Sequence, residues 1–191
     1  VASSRPGVPP LPAAPPSVGD SWTYRFSDMY GKSETYTVRI TAASPSEVVD
    51  EARLGRTHQR SSFGPEMAII FRKLGNLTVR EISPYLLHFG LKEGEGWRKV
   101  EVFEGQPPFK ARLAGTESVQ VPAGTFEAQK LVIEGLEYHS QRQNMSRSYT
   151  ITAWYAPATR RFVKVSYVGE ANGTFFPADK ETLELTEYRL Q

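Results

Sequence analysis

From Val119 to Tyr167 the chain alternates. It reads VQVPAGTFEAQKLVIEGLEY, then a polar connector, then SYTITAWYAPATRRFVKVSY. Apolar and polar side chains taken in turn belong to a pleated strand, because successive Cβ atoms leave opposite faces of a sheet. Two long alternating segments and a short third one lie here. They are broken by the corner Val121-Pro122-Ala123-Gly124-Thr125-Phe126 and by the reversal Ala156-Pro157-Ala158-Thr159. Proline cannot donate to a ladder and glycine permits positive φ, so each break reads as a tight change of direction between antiparallel strands. Pro122, Gly124, Phe126 and Pro157 are the residues that set the two corners.

The same period runs through the rest of the chain. Trp22, Tyr24 and Phe26 alternate with Thr23 and Arg25; a turn at Asp28–Lys32 follows, then Tyr36, Val38 and Ile40 share one face. This is a β-hairpin. Pro45-Ser46 turns the chain into a short strand over Glu47–Leu54, and Arg53–Ser62 is a solvated strand or loop. Pro65–Gly75 fits two descriptions. It has the proline start and glycine stop of a helix, and it also ends at Gly75-Asn76, a two-residue turn that would join Met67–Leu74 to Leu77–Ile82. The surrounding β-branched residues favour the hairpin. Ser83–Phe89 is an apolar connector, Gly96-Trp97 opens another strand, and Phe109–Gln120 leads to the first corner. Further strands are expected over Phe126–Tyr138, Arg147–Tyr155, Phe162–Val168 and Thr182–Leu190, with a long loop at Gly169–Lys180 displaying Phe175-Phe176. The expectation is an all-β domain over residues 19–191: a single curved antiparallel sheet or incomplete β-barrel of about nine or ten strands.

Residues 1–18 are different. They hold six of the chain's 14 prolines and few core-forming side chains. They read as a proline-rich extended arm or linker, either a tether or a docking segment in which Pro9, Pro10, Leu11 and Pro12 would contact a partner.

Cysteine is absent, which removes disulfides, thiolate metal ligands and cysteine nucleophiles together. No apolar run is long enough to span a bilayer as a helix. Basic and acidic residues number 23 and 21, a net charge of +2, which gives no reason to expect a nucleic-acid partner. The sequence starts at Val1 without an initiator methionine and reads as a processed or trimmed chain.

The segments VPAGTF, ITAWYAP, RRFVKVSY and ETLELTEY, with SVGDSWTYRF and YLLHFGLKEGEGW upstream, resemble a large group of bacterial envelope proteins and domains, mostly of unknown function. The resemblance covers roughly residues 17–190. It implies a curved antiparallel sheet or incomplete barrel, similar in shape to carriers of lipoproteins or lipids. It also implies an extracytoplasmic place, in the periplasm or at the cell surface, with anchoring through a segment outside this sequence. The markers are fold markers, and no catalytic residue comes with them.

The residues themselves offer little chemistry. His58, His88 and His139 have no metal-ligand spacing between them, and no nucleophile elbow or phosphate loop occurs. Carboxylates cluster at Glu93/Glu95, Glu101/Glu104 and Glu181/Glu184/Glu187, an arrangement that solubilising strand faces explain more cheaply than glycosidase chemistry. Asn76, Asn144 and Asn172 all lie in N-x-S/T triplets, acceptors only in a eukaryotic secreted protein. The aromatic set Trp22, Tyr24, Phe26, Tyr36, Trp97, Trp154 and Phe162 is either core or the lining of an apolar groove. The expectation is therefore a non-enzymatic interaction or assembly module without cofactor or metal. Its partner would be another envelope protein or a multi-protein assembly, reached through the arm, the sheet edges and Phe175-Phe176. The alternative is a carrier of a lipid, acyl chain or peptide in the concave face.

Overall fold

A computed structural model of the protein describes residues 16–64, 69–83, 96–99, 109–139 and 141–191. The arm, and with it Pro9, Pro10, Leu11 and Pro12, lies outside these residues, as do most of the Ser83–Phe89 connector, His88 and the acids at 93–104. Strands run in chain order: β1 Ser21–Asp28, β2 Ser33–Ala43, β3 Val48–Leu54, β4 Thr57–Phe63, β5 Ile69–Leu74, β6 Leu77–Ile82, β7 Gly96–Lys99, β8 Phe109–Val121, β9 Gly124–His139, β10 Arg142–Ala156, β11 Arg161–Gly169 and β12 Asp179–Arg189.

Ten of them form one antiparallel sheet in the order β4-β3-β2-β1-β12-β11-β10-β9-β8-β7, and β5-β6 form a separate two-stranded ribbon. The all-β, open curved sheet expected from the sequence is what the chain builds. The main sheet reaches the upper end of the expected strand number, and the hairpin is additional to it. Curvature has a visible cause. Register shifts leave an extra residue at Thr41 of β2, Ala114 of β8, Val163 of β11 and Thr186 of β12, and each extra residue bends and twists its strand.

The ambiguous segment is a hairpin. Ile69 pairs with Ile82 through to Leu74 with Leu77, and Gly75 takes φ +64 in the turn, a conformation that glycine adopts without the Cβ penalty other residues carry. Ile70, Arg72 and Leu74 on β5, with Leu77, Val79 and Glu81 on β6, are buried. The ribbon thus lies inside the curl of the large sheet, where it meets β3, β4 and β11.

The two corners tie distant parts of the sheet together. Beyond Gln129, the partner of Tyr155 near the end of β10, the β8–β9 ribbon continues past its neighbour. Its tip turns onto β12, where Ala123 N–H donates to Leu185 O at 3.0 Å and the Phe126 ring meets Tyr188 edge-on at 6.0 Å. Pro157–Thr159 forms a single 3-10 turn, and Thr159 O accepts the Trp22 indole N–H at 2.8 Å. At the same end Asp20, fully buried, accepts from Ser17 N–H (2.9 Å) and Gln191 N–H (2.8 Å) and pairs with Arg160 at 3.1 Å. One carboxylate fastens the first strand, the last residue and the β10–β11 reversal.

Candidate functional site: the concave face and its charged pin

Trp22, Tyr24, Phe26, Tyr36 and Phe162 do converge on the concave face, each only 1–3% exposed. They form a core with the β5–β6 ribbon rather than the wall of an open groove. Trp154 is not among them. Inward parity on β10 belongs to Ile151, Ala153 and Tyr155, so Trp154 points to the convex side. There Glu117 accepts its indole N–H at 2.5 Å, and the ammonium groups of Lys130 and Lys164 each lie 5.6 Å from its ring. Trp97 lies on the described backbone of β7, paired with Ala111; its side chain is outside the described set.

The unexpected feature is at the centre. Arg72 of β5 reaches Asp50 of β3 through both terminal nitrogens, at 2.8 and 2.6 Å, and its Nε donates to Glu81 of β6. Arg161, at the start of β11, donates to Glu81 at 2.7 Å and approaches Asp50 at 3.7 Å. The Tyr36 hydroxyl donates to Glu81 at 3.0 Å, and the Arg161 guanidinium lies 4.7 Å from the Trp22 ring centre. All four charged residues are at most 3% exposed. Two guanidinium and two carboxylate groups therefore balance in the middle of the core, joining the ribbon to both halves of the curled sheet.

Ionisation follows from this geometry. Burial alone would raise the Glu81 carboxyl, but Arg72 and Arg161 overcome it and hold it at about 2. Burial, reinforced by the Glu81 charge, pushes the Tyr36 hydroxyl well above its ordinary value. Burial likewise raises Tyr24, whose hydroxyl donates to Phe162 O at 2.7 Å. These tyrosines stay neutral donors at any physiological pH.

A second charged group lies toward the other end of the same face. Arg80 of β6 bridges Glu137 of β9 (3.0 Å) and Glu181 of β12 (2.9 Å), and its guanidinium caps the Tyr167 ring at 4.1 Å. Glu137 also accepts from Arg147 at 2.9 Å and from the Tyr167 hydroxyl at 2.6 Å. Despite its burial, these donors keep the Glu137 carboxyl below the usual range. The Glu181 carboxyl is raised, mainly by burial. Every acid here is matched by an arginine. The three glutamates of β12 separate: Glu181 faces inward to Arg80, Glu184 pairs outward with Arg25 and Lys164, and Glu187 pairs with Arg189.

The Phe175-Phe176 loop divides as well. Phe175 is exposed, whereas Phe176 is buried beneath Arg147, 5.1 Å from its ring, and against His139. Only the first is available as a contact. Among the described residues no cluster of histidine, aspartate and glutamate is arranged to hold a metal ion, and His139 is occupied in accepting Gln141 N–H at 3.2 Å.

No family model matches the sequence, and no curated protein matches it. Solved structures do. A candidate lipoprotein from Parabacteroides distasonis superposes at a TM-score of 0.51 with 12% identity, over 92% of this chain and 97% of that one. An exported protein with a YmcC-like fold from Bacteroides fragilis gives 0.48 at 14% identity over 92% and 97%. The hypothetical lipoprotein YmcC of Escherichia coli gives 0.46 at 10% over 88% and 84%. At this level of identity, the first of these likenesses is one of fold.

Proposed function

We propose that this domain is a non-enzymatic, extracytoplasmic interaction module: a rigid half-barrel that holds its edges and its proline-rich arm in place for a protein partner. The observation that carries this reading is that the concave face is filled among the described residues. The aromatic side chains that a carrier would use to line a groove are packed against the β5–β6 ribbon. The hollow between Phe26, Val79, Val165 and Leu183 measures about 10 Å³, room for a water molecule and no ligand. Each inward-facing carboxylate already holds an arginine. That arrangement favours a fixed scaffold over a general acid or base, which needs a group free to exchange its proton. The description of the Parabacteroides fold relative as a lipoprotein supports an extracytoplasmic place.

What remains for function is the periphery. β4 is an outer strand of the sheet, with exposed Thr57, His58 and Arg60, and the arm joins the sheet at the Asp20 anchor. Photo-crosslinking residues placed at Leu11 and at Arg60, with Trp154 as control, test the reading in the native envelope. A discrete protein adduct from Leu11 or Arg60 and none from Trp154 is the expected result. Adducts to lipid alone, or co-purification unchanged after deletion of residues 1–18 and reversal of the β4 edge charges, would overturn it.

A further inference from the structure

Among the described residues, strand direction gathers connections at residues 29–32, 55–56, 75–76, 141 and 170–178 at one end of the half-barrel. They touch. Lys32 Nζ donates to Asn76 O at 2.9 Å, and the Tyr30 hydroxyl donates to Ala178 O at 2.6 Å. Phe175 packs edge-on against His139 at 5.7 Å and under the Arg142 guanidinium at 4.4 Å. Of the seven large hydrophobic side chains exposed among the described residues, five lie at this end: Met29 at 50%, Tyr30 at 66%, Phe175 at 39%, and Leu136 and Tyr138 close to the tip of β9. Scattered exposed hydrophobics are ordinary, but their convergence on a single rim marks a contact surface.

The charge around them is one-sided. Arg56, Lys73, Arg142 and Lys180 are exposed here. Of the nearby described acids, Asp28 accepts from the Tyr30 and Lys32 amides and Asp179 lies 3.8 Å from Arg147, while Glu134 and Glu170 are exposed. Amphipathic aromatic tips, a methionine and a ring of Lys and Arg are what a lipid headgroup layer accommodates: rings at the interface, cations on the phosphates. The described chain begins at the opposite end, beside Asp20 and Gln191.

We infer that the rim of Met29, Tyr30, Phe175 and their basic neighbours is a peripheral docking surface for an anionic phospholipid bilayer. The inference is independent of the protein-partner reading, since it concerns the end of the domain opposite Asp20 and Gln191.

Because the chain has no cysteine, single thiols introduced by Tyr30→Cys, Phe175→Cys and, as control at the far end, Val18→Cys can each carry an environment-sensitive fluorophore. Vesicles of phosphatidylethanolamine with phosphatidylglycerol are expected to blue-shift the label at positions 30 and 175 and leave that at 18 unchanged. Phosphatidylcholine vesicles are expected to do neither. Co-sedimentation of the otherwise native chain should weaken roughly five-fold for each positive charge removed at low salt, in Arg56→Gln and Lys73→Gln variants, and should fade as salt is raised. No binding to the anionic vesicles, or binding that shifts all three labels alike, would overturn the inference. So would a rim-label shift that grows with protein concentration in the absence of lipid, because a second copy would then be the occupant.

Discussion

Arg72 sits where strand parity calls for an aliphatic side chain, between Ile70 and Leu74 on the inward face of β5. Its charge is tolerable only because Asp50 and Glu81 meet it, since an unpaired buried charge is among the costliest features a fold can carry. Arg72→Met is therefore expected to destabilise the domain by about 3–5 kcal/mol in urea titration. Replacing Asp50, Arg72, Glu81 and Arg161 together by Leu, Met, Leu and Met should cost less than that single change, because no charge is left without its counter-ion. The pH dependence has a definite sign. Glu81 is held at about 2 in the folded chain against an ordinary value of 4.5, so the folded state binds its proton more weakly. The stability it supplies is complete above the ordinary value and is lost as pH falls from about 4.5 toward 2. Thermal melting in Glu81→Gln should lose much of this acid limb. The cluster was legible in principle: four strands each carry one charged residue on the apolar parity, two arginines and two acids. Trp154 is a different case: Thr150 and Thr152 share its parity and Tyr155 holds the inward place, so it packs against the core only partly buried.

At the scale of elements, the corners explain why short motifs can mark this fold. The Pro122–Gly124 tip is useful because β8 and β9 outrun β10 and reach β12, where Ala123 N–H finds Leu185 O. Ala123→Pro removes that donor and is expected to lower stability by about 1–2 kcal/mol in denaturant unfolding without changing the far-ultraviolet spectrum. Gly135 serves a second approach. A Cβ there would lie 2.7 Å from the Tyr149 hydroxyl, and Tyr149 is stacked on Tyr167 at 5.9 Å. Gly135→Ala should cost about 1–3 kcal/mol by displacing that ring, read as a lower melting temperature with altered tyrosine near-ultraviolet dichroism. Strand positions and both corners were readable from period and turn chemistry, because those are local. Where the ribbon at 69–82 would lie was not readable: periodicity shows which side chains are buried and says nothing about which sheet covers them.

For the whole molecule, what matters is how an open sheet manages its concave side. A ten-stranded sheet that curls without closing leaves an apolar trough. The chain fills it with its own hairpin and locks the hairpin with ion pairs to β3 and β11. On the proposed reading, function then passes to the outside: the arm and edges toward a protein, the aromatic rim toward a charged surface. Amide hydrogen exchange of the native protein tests this most directly. Amides of Ile69–Leu74 and Leu77–Ile82 should exchange only through global unfolding, with the same free energy as those of β1 and β11. Rapid exchange of the ribbon while the large sheet stays protected would show a lid that opens over a ligand cavity, and would contradict a permanently filled half-barrel.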